Sequence, residues 1–123
     1  VLSIVGNFLE HSRIFFFLND GEEELYMGSA DWMPRNLDRR VEILFPVLDD
    51  TLKEKVKHIL DVELADNTKA HVLKPDGEYE KIDRRGKVLV NSQKQFCEEA
   101  VAAVPKTDHV YRERVFVPAE PAE

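Results

Sequence analysis

The stretch Arg13–Val47, "RIFFFLNDGEEELYMGSADWMPRNLDRRVEILFPV", holds three apolar runs separated by two polar connections. "RIFFFLND" (13–20) is continuous and aromatic, and it closes on Asn19-Asp20-Gly21. That is the composition of a strand buried on both faces and ending in a turn. "ELYMGSA" (24–30) follows at hairpin distance and reads as its antiparallel partner. "VEILFPVLD" (41–49) is a third strand whose pairing Pro46 restricts. Between the second and third runs Arg35, Arg39 and Arg40 gather, with Asp31, Asp38 and Glu42 threaded among them. The ordinary reading of such a segment is a solvated charged loop.

Outward from this stretch the signals are local. Ile4, Val5, Phe8 and Leu9 recur at helical spacing, so "SIVGNFLEH" (3–11) predicts a short helix ending near His11. Thr51 and Glu54 make a capping box before Leu52, Val56, Ile59 and Leu60, which predicts a helix over 51–64. "KAHVLK" (69–74) and "EYEKI" (78–82) flank "PDG", a hairpin signal. Ser92 with Gln95 is a second capping box, opening a helix that buries Phe96, Ala100 and Val104, with Cys97 filling its apolar face, until Pro105 stops it. The tail at 116–123 is expected to be disordered, leaving one domain over 1–115. The architecture expected is mixed α/β.

Bulk properties narrow the classes. The 123 residues allow one core, and 43% hydrophobic with 33% charged residues describe a soluble globular chain. No apolar run spans a bilayer and no charged-then-apolar leader opens the sequence, so a cytoplasmic protein is expected. A lone Cys97 supports neither an internal disulfide nor a cysteine metal site. The net charge of -7 argues against nucleic acid or an anionic membrane as partner, so any anion site has to be local. The chain begins on Val1 inside an apolar pattern, which reads as a piece of a longer protein.

If the first two strands pair, His11-Ser12-Arg13 at the start of one lies beside Gly28-Ser29-Ala30-Asp31 at the end of the next, and His11, Arg13, Ser29, Asp31 and the arginines share one rim. This order resembles the phospholipase D superfamily, whose half-site runs His-x-Lys, then Gly-Ser-x-Asn, then a later Glu, here Glu42. Arg13 replaces the lysine, and Leu18 stands where that pattern has an Asp. "FLEHSRIFFF", "YMGSADWMPRNLDRRVEILFPV" and "DNTKAHVLKPDGEYEKI" more closely resemble the C-terminal region of bacterial polyphosphate kinase of the first type.

The resemblance implies a phospholipase-D-like mixed sheet flanked by helices, the incomplete half of a two-domain catalytic unit. It implies reversible transfer of ATP's terminal phosphate to polyphosphate through a phosphohistidine carried upstream, with ATP or ADP and polyphosphate as ligands, the remainder of the parent enzyme as partner, a homo-oligomeric parent, and Mg2+ bound by residues outside this chain. It makes His11 the second active-site histidine and Arg40 the arginine against nucleotide or polyphosphate; an imidazole can donate to phosphate oxygens and exchange a proton near neutral pH. For Arg35 and Arg39, phosphate contact and an internal ion pair both remain open. Ser29 offers a hydroxyl to phosphate or only a small side chain to a turn. Asp31, an anion, suits orientation of His11 or an arginine from behind, and Glu42 the late carboxylate. Trp32 is expected in the core, with adenine stacking the lesser alternative. His58, His71 and His109 are expected to be structural or exposed. Two other functions stay in play: a phosphodiesterase or nuclease half-site completed by homodimerisation, and a non-catalytic phosphate-binding module.

Overall fold

Asp20 and Gly21 both take positive φ, 50° and 96°. Such a two-residue turn matches the right-handed twist of the strands it joins. In the computed structural model, which describes residues 1–104, that turn joins β2 (Ile14–Asn19) to β3 (Glu22–Gly28), and β4 (Leu44–Pro46) adds to the other edge of β3, all antiparallel. A second antiparallel sheet has β5 (Ala70–Leu73) in its centre, between β1 (Leu2–Ile4) and β6 (Tyr79–Lys81). Three helices, α1 (Pro34–Leu37), α2 (Asp50–Ala65) and α3 (Ser92–Ala103), complete the described residues. Pro105, His109 and the tail at 116–123 lie outside them.

Both expected hairpins form. Phe15 pairs with Tyr26 and Phe16 with Leu25 in the first, and His71 pairs with Lys81 in the second, where Gly77 takes φ 89° in the turn. Partners in register share a face, so Ile14, Phe16, Leu25 and Met27 line one side of the β2–β3–β4 sheet and Phe15, Phe17 and Tyr26 the other. Leu25, Val47 and Val56 form the buried cluster, with Ile14, Met27 and Leu60 packed around it, so α2 covers the first side. The second side is open among the described residues, with Phe17 54% exposed. From Phe16 onward strand β2 is exposed on both faces, Phe16 and Leu18 on one and Phe17 on the other, against the expectation from its unbroken apolar run.

Three other expectations are corrected. The predicted helix over 3–11 is β1 followed by irregular chain. Leu2 to Ile4 pair with Val72 to Ala70, Val5 N–H donates to Lys69 C=O at 3.0 Å, and Gln93 Oε1 accepts the N–H groups of Asn7 and Phe8 at 2.8 and 3.0 Å. These partners take the donors that a helix would need. The helix caps are also displaced: Asp49 caps α2 by accepting from Leu52 N–H at 2.9 Å, and Asn91 caps α3 by accepting from Lys94 N–H at 3.1 Å. Finally, α3 buries polar Ser92 and Gln93, while Ala100, Val104 and Cys97 are exposed and Phe96 is half-buried.

Asp66 explains why α3 is polar at its start. Fully buried at the end of α2, its Oδ1 accepts from Thr68 and Lys69 N–H at 2.9 and 2.8 Å, and its Oδ2 accepts from Ser92 N–H and Oγ, both at 2.8 Å. One carboxylate thus ties α2, the turn into β5 and the start of α3. Burial pushes its pKa up, but the bonds from Lys69, Ser92 and Thr68 outweigh that and hold it below the usual value. Asn67 adds to the junction, donating through Nδ2 to Val88 C=O at 2.7 Å and accepting from Val90 N–H at 2.9 Å.

Two predictions follow from this junction and its neighbour. Asp66→Asn replaces one acceptor oxygen with an amide donor that faces existing donors and leaves buried groups unpaired, which should cost about 1–3 kcal/mol in urea unfolding at neutral pH. Because the folded carboxyl is more acidic than the unfolded one, the wild type's advantage is full above the ordinary carboxylate pKa, and acidification through the folded pKa should remove it. Glu63 is the opposite case: Oε1 is buried without a hydrogen-bond partner, and burial, then the Glu10 charge, raise its pKa. Wild-type stability should therefore fall as pH rises from the ordinary Glu value through the raised one. Glu63→Gln should raise the unfolding midpoint at neutral pH and lose that gain in acid; an equal gain at both pH values would contradict the assignment.

Candidate functional site

The antiparallel hairpin brings the start of β2 against the end of β3, where Gly28 N–H donates to Arg13 C=O at 3.0 Å. A Cβ on Gly28 would sit 3.3 Å from the Leu44 side chain and 3.5 Å from Phe15, so the glycine lets β3 and β4 approach closely and Leu44 would have to give slightly to admit a side chain. Beyond Gly28 the chain stays tied to the approach to β4: Ser29 N–H donates to Ile43 C=O at 3.0 Å, and Ser29 Oγ accepts from Ile43 N–H at 3.0 Å. The same hydroxyl donates to Glu42 Oε2 at 2.6 Å. Ser29 and Glu42 therefore close the loop that contains the arginines.

Arg13 joins the two halves of the rim. Its Nε donates to Asp31 Oδ1 at 2.8 Å, its Nη2 to the same oxygen at 2.5 Å, and its Nη1 to His11 C=O at 2.8 Å. Asp31 C=O accepts from Met33 N–H at 2.7 Å and from Asn36 Nδ2 at 3.2 Å. Asn36 is the buried residue of α1, with Oδ1 enclosed and lacking a partner among the described residues.

The residues singled out from sequence fall as follows. His11 is exposed, and its imidazole has no hydrogen-bond partner among the described residues. Arg35 lies in α1, and Arg39 and Arg40 in the turn after it; all three are exposed, and no described carboxylate lies within 4.0 Å of any of them. The internal ion pair left open for Arg35 and Arg39 does not form. Nor do the nearby acids hold these arginines: Asp31 holds Arg13, Glu42 holds Ser29, and Asp38 forms no ion pair among the described residues. Trp32 is 77% exposed and stacks on Phe15 at 6.0 Å between ring centroids, so it is a surface residue and not core. It borders a mostly apolar cavity of about 480 Å³ with Phe15, Phe17, Leu37 and Leu44, with Glu42 at its edge. His58 pairs with Glu99 at 3.0 Å between α2 and α3, and His71 lies in β5, so neither belongs to the rim.

Sequence reasoning placed Arg13 on the rim and read it as a departure from a lysine pattern without pairing it with Asp31, and it overlooked Asn36. The available signal was that Arg13 and Asp31 depart together at the two positions a hairpin brings side by side. For Asn36 the only cue was an uncharged polar residue among charges. Chemically, the rim offers one unpartnered imidazole and three guanidinium groups free of described carboxylates, an arrangement that can grip an extended polyanion. No cluster of three or more His, Cys, Asp or Glu side chains among the described residues has the proximity of a metal site.

Comparison with known proteins agrees across sequence and structure. Residues 1–93 match the family model "Polyphosphate kinase C-terminal domain 2". The polyphosphate kinase of Lactiplantibacillus plantarum is 48% identical over 109 residues, covering 89% of this chain and 15% of that protein. That of Prosthecochloris aestuarii is 54% identical over 101 residues, covering 81% of this chain and 14% of that protein. The crystal structure of polyphosphate kinase from Porphyromonas gingivalis superposes with a TM-score of 0.74 at 37% identity, over 82% of this chain and 16% of that one. The chain thus spans about 15% of the length of the curated relatives it matches. It belongs to the polyphosphate kinase family, within whose phospholipase-D-like α/β C-terminal region its residues 1–93 fall.

Proposed function

We propose that this chain is the distal part of a polyphosphate kinase catalytic region and contributes His11 and Arg40 to reversible transfer of the terminal phosphate of ATP to polyphosphate. The observation that carries this reading is the exposed His11 imidazole, unpartnered among the described residues, on a rim with three guanidinium groups free of described carboxylates. Phosphoryl transfer spreads charge over peripheral oxygens and needs donors fixed around them. His11 donates to those oxygens and exchanges a proton, and Arg40 holds two of them with its planar fork. Arg35 adds charge nearby, and Ser29 stays available to phosphate only by giving up its bond to Glu42. Asp31 and Glu42 act from behind the first layer, through Arg13 and Ser29.

The phosphohistidine and the adenine pocket belong to sequence outside this chain, so the chain by itself is inactive in this reading. The residues present do not fit a magnesium site either, because the two carboxylates nearest the rim are committed to Arg13 and Ser29; the metal is held elsewhere. The phosphodiesterase alternative is disfavoured because Arg13 and Asp31, at the positions of that pattern's lysine and asparagine, bind one another. Phosphate binding without turnover in the complete enzyme would instead support a non-catalytic module. An acidic chain with an exposed thiol and no bilayer-length helix among its described residues suits a cytoplasmic enzyme, working as a homo-oligomer.

In the full-length polyphosphate kinase that contains this chain, His11→Ala should lower the specific activity roughly a hundred-fold or more. The unfolding midpoint should barely move, since the imidazole has no partner among the described residues. Normal activity in the folded fraction would remove His11 from the mechanism. Arg40→Lys should weaken ATP or polyphosphate use although it keeps the charge, because an ammonium cannot reproduce a two-point grip. Arg39→Lys should matter less, because the family resemblance puts Arg40 and not Arg39 against phosphate. Steady-state kinetics at fixed ionic strength separates the two, and the reverse ranking would move the phosphate contact to Arg39.

A further inference from the structure

The segment that carries His11 has no secondary structure, yet it is anchored on both sides. Gln93 holds Asn7 and Phe8 through three hydrogen bonds of 2.8–3.0 Å. On the other side, Arg13 Nη1 donates to His11 C=O at 2.8 Å while Nε and Nη2 both donate to Asp31 Oδ1. Asp31 C=O accepts from Asn36, which is 3% exposed within α1. The Arg13 side chain is 20% exposed and directs three donors at protein acceptors. A guanidinium so engaged is a strut between the His11 peptide and the segment leading into α1, which carries Arg35 and precedes Arg39 and Arg40.

We propose that Arg13 and Asp31 are positioning residues of the phosphoryl-transfer site: their ion pair sets where His11 stands relative to the arginine loop, and neither touches phosphate. This rests on the function proposed above. The pair carries no net charge, so it adds little attraction for a polyanion. It acts on geometry, and a displacement of about 1 Å at a reacting group can cost roughly a hundred-fold in rate. The effect therefore belongs in kcat and not in KM.

The test uses the full-length polyphosphate kinase that contains this chain, and compares Asp31→Asn, Asp31→Glu, Arg13→Lys and the double variant Arg13→Lys/Asp31→Asn at fixed ionic strength. Asp31→Asn and Arg13→Lys should each lower kcat roughly ten- to a hundred-fold with KM for polyphosphate changed less than about three-fold. The double variant should be no worse than the worse single one, because one strut is lost once. Asp31→Glu, which keeps the carboxylate, should retain more activity than Asp31→Asn. If Asp31→Asn does not fold, judged by circular dichroism, Arg13→Lys carries the kinetic test. A raised KM with normal kcat in Arg13→Lys would mean that Arg13 grips phosphate directly and would overturn the proposal, as would wild-type kinetics in Asp31→Asn or independent, multiplying losses in the double variant. The two readings fail separately: an active His11→Ala enzyme sinks the proposed function, whereas an inactive His11→Ala enzyme beside a normal Asp31→Asn enzyme sinks only the strut.

Discussion

A carboxylate with no solvent exposure must find its partners inside the protein, and Asp66 finds four donors on three residues, two of them adjacent in the turn into β5 and the third at the start of α3. Leaving such a group unsatisfied is costly, so the end of α2, the turn into β5 and the start of α3 can assemble only together. That constraint reaches further, because Ser92 is followed by Gln93. With Ser92 fixed, the Gln93 amide lies beside Gly6, where a Cβ would come within 2.2 Å of Oε1, and it closes the irregular chain after β1 through Asn7 and Phe8. The second sheet and the approach to His11 are thus held by polar bonds more than by apolar packing.

The first sheet rests on different physics. Leu25, Val47 and Val56 bring β3, the residue after β4 and α2 into one apolar cluster, and the ladder of β2, β3 and β4 sets the rim at its end. The two systems meet in the segment between β1 and β2. Its first half is held by α3 through Gln93 and its last residue by Asp31 through Arg13. The His11 backbone is therefore placed by both, without any hydrogen bond to its own imidazole among the described residues.

What was legible in the sequence is what local chemistry encodes. Asp20-Gly21 and Pro75-Asp76-Gly77 announce their turns because only certain residues accept positive φ, and the pairings on either side follow from alternation. Helix α2 was legible from its apolar spacing, although its cap lies at Asp49, two residues before the expected Thr51. The signals failed where the partner is remote. The spacing at Ile4, Val5, Phe8 and Leu9 fits a helix, but β1 pairs with β5 from Ala70 onward, and tertiary pairing overrides a short periodic run. Helix α3 misled for the same reason: its buried residues are polar, and only Asp66, 26 positions earlier, makes burial of Ser92 favourable. At the site, adjacency of His11 to the Ser29–Asp31 turn was readable from the hairpin. The partnership of Arg13 with Asp31, 18 positions apart, needed coordinates.

The arrangement also reconciles a net charge of -7 with the polyanion site proposed for this chain. Screening limits the reach of an exposed charge to about 10 Å at ordinary ionic strength, so what matters is which charges near the rim are already neutralised. Arg13 and Asp31 cancel each other, and Glu42 is hydrogen-bonded by Ser29. Elsewhere Lys57 with Glu23, Lys74 with Glu80, and Arg85 with Asp83 form ion pairs away from the arginine loop. Arg35, Arg39 and Arg40 stay outside this pairing among the described residues. Local pairing, and not overall composition, decides where uncompensated positive charge remains, and among the described residues it leaves that charge on the arginine loop.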